Sequence, residues 1–381
     1  MNLNKCGKHL YKGDISMSCN QIPKTKVSFV VPESAPNQLV GTKAKTDTRF
    51  VISDNHETIN ANTPFENGYC TLWHDTASGK TSVKYRMFVW HLNNRGSSMK
   101  YGITIGNNNA SAYSIHNVKS TIAPITSFVE QGRCTAAALV GDTMDAITPT
   151  DTSVPAGKLG VIKEWIVPNN QLIGGLIEFT VTNTSSTAMS YRLRSVAATS
   201  TTADLRLNQT PVISYFTGGN DSVHPRGSWD FAEIASSVSY SAGSGWKYYN
   251  MSNGLNDNLM TQATSYDSAK AAASNKGHYG VKYTLTVNLS NPTTTEKTIS
   301  IYMGSRVKPY GGAVKWSGDN VTYKVPNLAS PPDKIAGKIQ YQEGVLIAEV
   351  KLSAGQSLTR TITAASAGGL STPALIAFQT K

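Results

Sequence analysis

Tyr279-Gly280-Val281-Lys282-Tyr283-Thr284-Leu285-Thr286-Val287-Asn288-Leu289 alternates large apolar residues with small or polar ones without a break. A period of two is the signature of a strand with one face on a core and the other in water. A polar turn at Asn291-Pro292-Thr293 follows. The chain then returns with Ile299, Ile301 and Met303 on one face and Ser300 and Tyr302 on the other. The stretch reads as an antiparallel hairpin.

The same construction occurs earlier. Val83, Tyr85, Met87 and Val89 alternate with Lys84, Arg86, Phe88 and Trp90, and a turn at Asn93-Asn94-Arg95-Gly96 leads into Tyr101, Ile103 and Ile105. Val83-Lys84-Tyr85 matches Val281-Lys282-Tyr283 at an offset of 198 (281 − 83). Asn93 falls on Asn291, Ile103 on Ile301 and Gly106 on Gly304 at the same offset. Ala156-Gly157-Lys158 matches Ala354-Gly355-Gln356 there too, and Leu176-Ile177-Glu178-Phe179 matches Leu375-Ile376-Ala377-Phe378 one residue further on.

A fixed offset over hairpin, turn and closing strand predicts a unit written twice. The expected fold is all-β: two tandem antiparallel β-sandwich domains related by internal duplication, with an extended N-terminal leader. The boundaries read as a flexible, basic, Cys-containing leader over 1–26, sandwiches over 27–200 and 211–381, and a Thr-rich linker over 201–210. Helical periodicity is nearly absent, with Asp267 to Ala273 the one candidate.

The composition agrees. The 381 residues carry 35 Lys+Arg against 24 Asp+Glu, a formal charge of +11, with 15 % charged residues and 31 Gly. That balance excludes coiled coils and charge-driven disorder. No run of about 18 apolar residues exists, so no transmembrane helix is expected. Met1 to Lys8 is basic like the start of a signal peptide but lacks an apolar continuation, so either a signal was removed or export uses another route.

Gly280-Val281-Lys282-Tyr283, then Gly304-Ser305-Arg306 running to Tyr310-Gly311-Gly312-Ala313, resembles secreted surface proteins of Gram-positive spore-forming bacteria. These carry paired β-sandwich regions, often beside a module labelled copper-amine-oxidase N-terminal-like. Val154-Pro155-Ala156-Gly157 to Leu176-Ile177-Glu178-Phe179 is similar to the first region of such a pair. The resemblance implies an extracellular, non-catalytic surface protein and carries over no functional residue. The Asn-Tyr-Asp/Glu motif that supplies the quinone of true copper amine oxidases is absent.

Motifs for chemistry are sparse. The seven histidines form no HExxH, and His74-Asp75 is the nearest approach to a ligand pair. Ala242-Gly243-Ser244-Gly245 lacks the spacing of a nucleophile elbow. Asn253 to Asn258 is an oxygen-rich turn that could bind calcium weakly, with Asp257 its one acid. No cofactor and no metal are expected. Trp246, Tyr248 and Tyr249 could stack on sugar rings or pack as sheet cover.

Cys6 and Cys19 could form a clip within the leader, cross-link neighbouring subunits, or stay free or locally paired. Val27, Phe29 and Val31 could donate a strand to a neighbour's open edge, or form the first strand of their own domain. The basic leader could meet anionic wall polymer or a neighbour; no nucleic-acid-reading motif accompanies it.

The expected function is therefore a non-enzymatic extracellular structural protein, a self-associating subunit of a cell- or spore-surface layer or appendage. The alternative is a module binding carbohydrate or anionic cell-wall polymer, and a hydrolase with an unrecognised site is the third reading.

Overall fold

The computed structural model describes residues 19–31, 35–217, 224–270, 272–306, 308–330 and 340–381. The chain opens with four short strands, β1 (Ile22–Pro23), β2 (Lys26–Val31), β3 (Asn37–Gln38) and β4 (Thr42–Ala44). It continues through β5 (Thr48–Ser53), β6 (Thr58–Asn60), β7 (Tyr69–Asp75), β8 (Ser82–Asn94), β9 (Met99–Asn107), β10 (Tyr113–Ser120) and β11 (Ala123–Ile125). A helix, α1 (Phe128–Gly141), precedes β12 (Asp145–Ala146), β13 (Ser153–Val154), β14 (Leu159–Val167), β15 (Leu172–Asn183) and β16 (Tyr191–Ala198). The second half holds β17 (Arg226–Trp229), β18 (Glu233–Ser241), β19 (Lys247–Met251), β20 (Lys282–Ser290) and β21 (Lys297–Ser305). It closes with β22 (Tyr310–Trp316), β23 (Thr322–Leu328), β24 (Gln340–Leu352), β25 (Ser357–Ala365) and β26 (Ala374–Thr380).

Four sheets form two sandwiches, the all-β fold expected from the alternation. In the first, a sheet of order β12-β10-β15-β8-β5-β17 faces the four-stranded β14-β9-β16-β7. Met87, Ile177, Ile103 and Leu193 share one buried cluster between them. In the second, β1-β23-β22-β25-β20-β18-β4 faces β2-β24-β21-β26-β19-β3, with Leu285, Ile362, Ile301 and Ile376 between them.

The same pairings recur in both halves. β8 lies antiparallel to β15 and parallel to β5, as β20 lies antiparallel to β25 and parallel to β18. β9 sits between β14 and β16, as β21 sits between β24 and β26. The offset of 198 holds at β9 and β21 (297 − 99) but falls to 185 at β15 and β25 (357 − 172). Two of the sequence matches are therefore not counterparts. Ala156-Gly157 leads into β14, whereas Ala354-Gly355 leads into β25, which holds the place in the second half that β15 holds in the first. Leu176 and Leu375 lie on β15 and β26, which hold different places in their sandwiches. The 14-residue α1 lies between β10 and β14. No α-helix occupies that place among the described residues of the second half, and this is where the offset changes.

The hairpin match has a structural cause. Asn93 and Asn291, both buried, end equivalent strands. Asn291 donates through Nδ2 to the carbonyls of Thr295 (2.8 Å) and Leu352 (2.8 Å) and accepts from the Thr293 N–H (3.1 Å). Asn93 donates to Ser97 (2.9 Å) and Val167 (2.8 Å) and accepts from Arg95 (3.3 Å). Each hooks its own turn and the start of the neighbouring connection with one side chain.

The leader differs from expectation. β2 runs antiparallel on β24, with Val27 opposite Gly344, Phe29 opposite Gln342 and Val31 opposite Gln340. It is an edge strand of the second sandwich, supplied in cis across the molecule. β1, β3 and β4 join the second sandwich as well, while β17 crosses the other way to pair with β5. Each sandwich thus has edge strands supplied by chain from the other half. Cys19 is bonded to Cys134 on α1, so it forms neither a clip within the leader nor a link to a neighbour. Cys6 lies outside the described residues.

α1 is the element the periodicity missed. Nine of its residues are buried, from Gln131 and Gly132 through Val140, so it has no amphipathic stripe to read. It packs between β15 of the first sandwich and β22, β23 and β25 of the second. A Cβ at Gly132 would strike the Gly368 carbonyl. The expected helix at 267–273 is a three-residue 3-10 turn, Ser268–Lys270. The 201–210 connection is packed too: Leu205 is buried against Val161, Val196 and Ala198, and Arg206 grips Asp151 at 3.0 and 2.7 Å.

Candidate functional site

Along β9 the large residues Tyr101, Ile103 and Ile105 enter the core, so alternation turns Gly102, Thr104 and Gly106 to the outer face. On neighbouring β16, Tyr191 and Leu193 point in and Arg192 and Arg194 point out. Arg192 stands opposite Gly106 and Arg194 opposite Thr104. Leu205 from the connection fills the face above Gly102. The other end is open, a trough of about 560 Å³ lined by Leu159, Met189, Ser190, Arg192, Arg194 and Gln209, with Gly106 in its floor.

Neither arginine has a salt bridge among the described residues, although Arg49, Arg86 and Arg206 all do. Burial, with Arg192 beside it, holds the Arg194 guanidinium below its usual range. On neighbouring β7, His74 stands opposite Arg194 and its Nε2 is hydrogen-bonded to Asp267. Burial depresses His74 first, Arg192 and Arg194 add to this, and the Asp267 hydrogen bond opposes it. The trough is therefore a concave site holding two arginines with no salt bridge among the described residues.

The residues singled out in the sequence fall elsewhere. His74 and Asp75 point apart: Asp75 is fully buried, takes two bonds of 2.6 Å from Arg49, and accepts from the Tyr85 hydroxyl at 2.8 Å. Asp257 accepts the Asn253 N–H at 3.0 Å, organising its own loop, and burial pushes its carboxyl up to about 6 against those backbone donors. Tyr248 is buried; Trp246 and Tyr302 flank Phe29, at ring separations of 6.1 and 4.8 Å from it. Tyr249 packs edge-on against Phe378. Ser244 donates to the Ser241 carbonyl in a turn.

Two clusters had no sequence signal, because their members are far apart in the chain. Ser53 Oγ lies 3.0 Å from His91 Nε2, and His91 Nδ1 lies 2.7 Å from the His56 carbonyl. By distance this is a Ser–His pair, but both side chains are fully buried, and burial drives the imidazole down to about 3. At the cleft between the sandwiches, His224 lies 3.2 Å from Asp54 and 2.9 Å from Glu57, one carboxylate on each ring nitrogen. Burial alone would lower its pKa; the two carboxylates outweigh it and raise it to about 10.

No protein-family model and no curated protein matches the chain. Among solved structures it is similar to an anti-sigma factor domain-containing protein from Clostridium clariflavum, at 9 % identity over 79 % of this chain and 80 % of that one, TM-score 0.18. It is also similar to the N-terminal CBM22-1-CBM22-2 tandem domain from Paenibacillus barcinonensis, at 9 % identity over 92 % of each chain, TM-score 0.16. A third is the tip adhesin CupB6 from Pseudomonas aeruginosa, at 8 % identity over 95 % and 96 %, TM-score 0.17. Likeness this slight carries no functional argument, and the surface-protein resemblance rests on the residues quoted for it.

Proposed function

We propose that the protein is a non-enzymatic extracellular protein of a cell or spore surface that works by binding, its two sandwiches held as one rigid body. The observation that carries this is the Cys19–Cys134 disulfide, which ties the N-terminal segment to the helix wedged between the sandwiches. Structural disulfides belong to oxidising compartments. The absence of catalysis is part of the proposal: the Ser53–His91 pair is closed to substrate, and Asp75 and Asp257 serve the fold. Carbohydrate or anionic wall polymer is the ligand class in view.

Retention on purified cell-wall material is the test. The protein is expected to sediment with walls and to be released by salt. Absence of retention at low salt would contradict the proposal.

Assembly into a layer or appendage is the second reading, favoured by one feature: β2 has six residues and, among the described residues, pairs only with β24. Its free side could accept a neighbour's strand. Light scattering over a concentration series should then show growth with and without reductant; a monomer throughout would end that reading.

A further inference from the structure

We propose that the trough on the outer face of β14-β9-β16-β7 binds a linear polymer carrying oxyanions in series, with Arg192 and Arg194 as the two contacting cations. This deepens the binding reading above and rests on it. Residues two apart on one strand face stand about 7 Å apart. The site therefore suits an anionic group on each repeat of a short-repeat chain, as in a polyol phosphate or an acidic glycan. Guanidinium forks take such oxyanions two oxygens at a time.

Three features mark the trough as a site rather than scattered surface charge. Like charges are placed side by side and one of them is desolvated, a cost that an anion would relieve. Gly106 leaves the floor open: a Cβ there would meet nothing closer than Arg194 at 3.6 Å. Exposed Ser190 and Gln209 stand on the rim, able to bond sugar or polyol hydroxyls. The lining holds no exposed aromatic ring, since Tyr191 is buried, so unpaired bases would have nothing to stack on.

The full chain is titrated with poly(glycerol phosphate), polygalacturonate, dextran and a single-stranded oligonucleotide, at low and at physiological ionic strength. One or both acidic polymers should bind, more weakly as salt rises; dextran should not. R192Q/R194Q should weaken binding about tenfold or more, each lost charge-assisted contact counting for a few-fold. Gly106→Val keeps the charge and fills the trough, and should weaken binding comparably with an unchanged or higher melting temperature.

K351Q/R360Q removes the same charge from the second sandwich and should change binding less than about twofold. The proposal is overturned if neither acidic polymer binds, if dextran binds as they do, or if the control pair weakens binding as much as the trough pair. It is overturned equally if Gly106→Val binds as the parent does, or if the oligonucleotide binds as tightly as the polymers. Wall retention unaffected by the trough variants would refute the site while leaving the broader function standing; loss of retention by the parent protein would refute both.

Discussion

β8 and β20 occupy the same place in their sandwiches yet have different surroundings. On β20 the inward residues Tyr283, Leu285 and Val287 are buried, while Thr284, Thr286 and Asn288 keep partial contact with water. On β8 both faces are closed: Tyr85, Met87 and Val89 meet the opposing sheet, and Phe88 and Trp90 join the cluster that includes α1 and the second sandwich. A strand buried on both sides loses clean alternation, which is why Phe88 and Trp90 stand where Thr286 and Asn288 do. The difference locates the junction: the first sandwich turns its larger sheet toward the second, and Gly280, at φ +73°, touches down on Phe88 and Leu176.

Truncating the outward residue on each strand should separate the two most. Phe88→Ala should cost about 4 kcal/mol, as burial and cavity terms add. Thr286→Ala should stay within about 0.5 kcal/mol. Denaturant unfolding measures both, and equal effects would mean that β8 is not covered.

Removing the disulfide comes next. C19S/C134S should cost about 3 kcal/mol, and hydrogen exchange should speed up in α1 and in β15 beneath it, with β20 unchanged. Exchange that rises equally in β20 would show that the tie does not act through the junction.

Asn93→Ala and Asn291→Ala sharpen the likeness instead. Each should cost about 2 kcal/mol by leaving buried carbonyls unbonded; a cost at one position only would separate the two hairpins.

The smallest effect concerns the cleft. The folded pKa of His224, about 10, lies above the 6.5 of an ordinary histidine. Its stabilisation is fully present below pH 6.5 and is lost as pH rises toward about 10. In His224→Gln that loss of stability between those pH values should shrink; an unchanged pH profile would remove the ion cluster from the account.

What was legible in the sequence was local. Tyr279 to Leu289 reads as a strand because one face meets water, and Asn93 and Asn291 match because the same turn needs the same hook. α1 left no trace, since every residue from Gln131 to Val140 except Arg133 is buried. The offset between like-placed strands changes where α1 lies, so the pairings at Ala156 and Leu176 were false. Cys19 finds Cys134 across 115 residues, a distance that spacing alone does not encode. Arg192 and Arg194 were ordinary outward residues of a strand until Gly106 appeared beside them.

Differential scanning calorimetry tests most directly whether the two sandwiches form a single body. The strands exchanged between halves, the shared helix and the cleft predict one endotherm, with calorimetric and van't Hoff enthalpies in agreement. Two resolved transitions, each accounting for about half the heat, would contradict it.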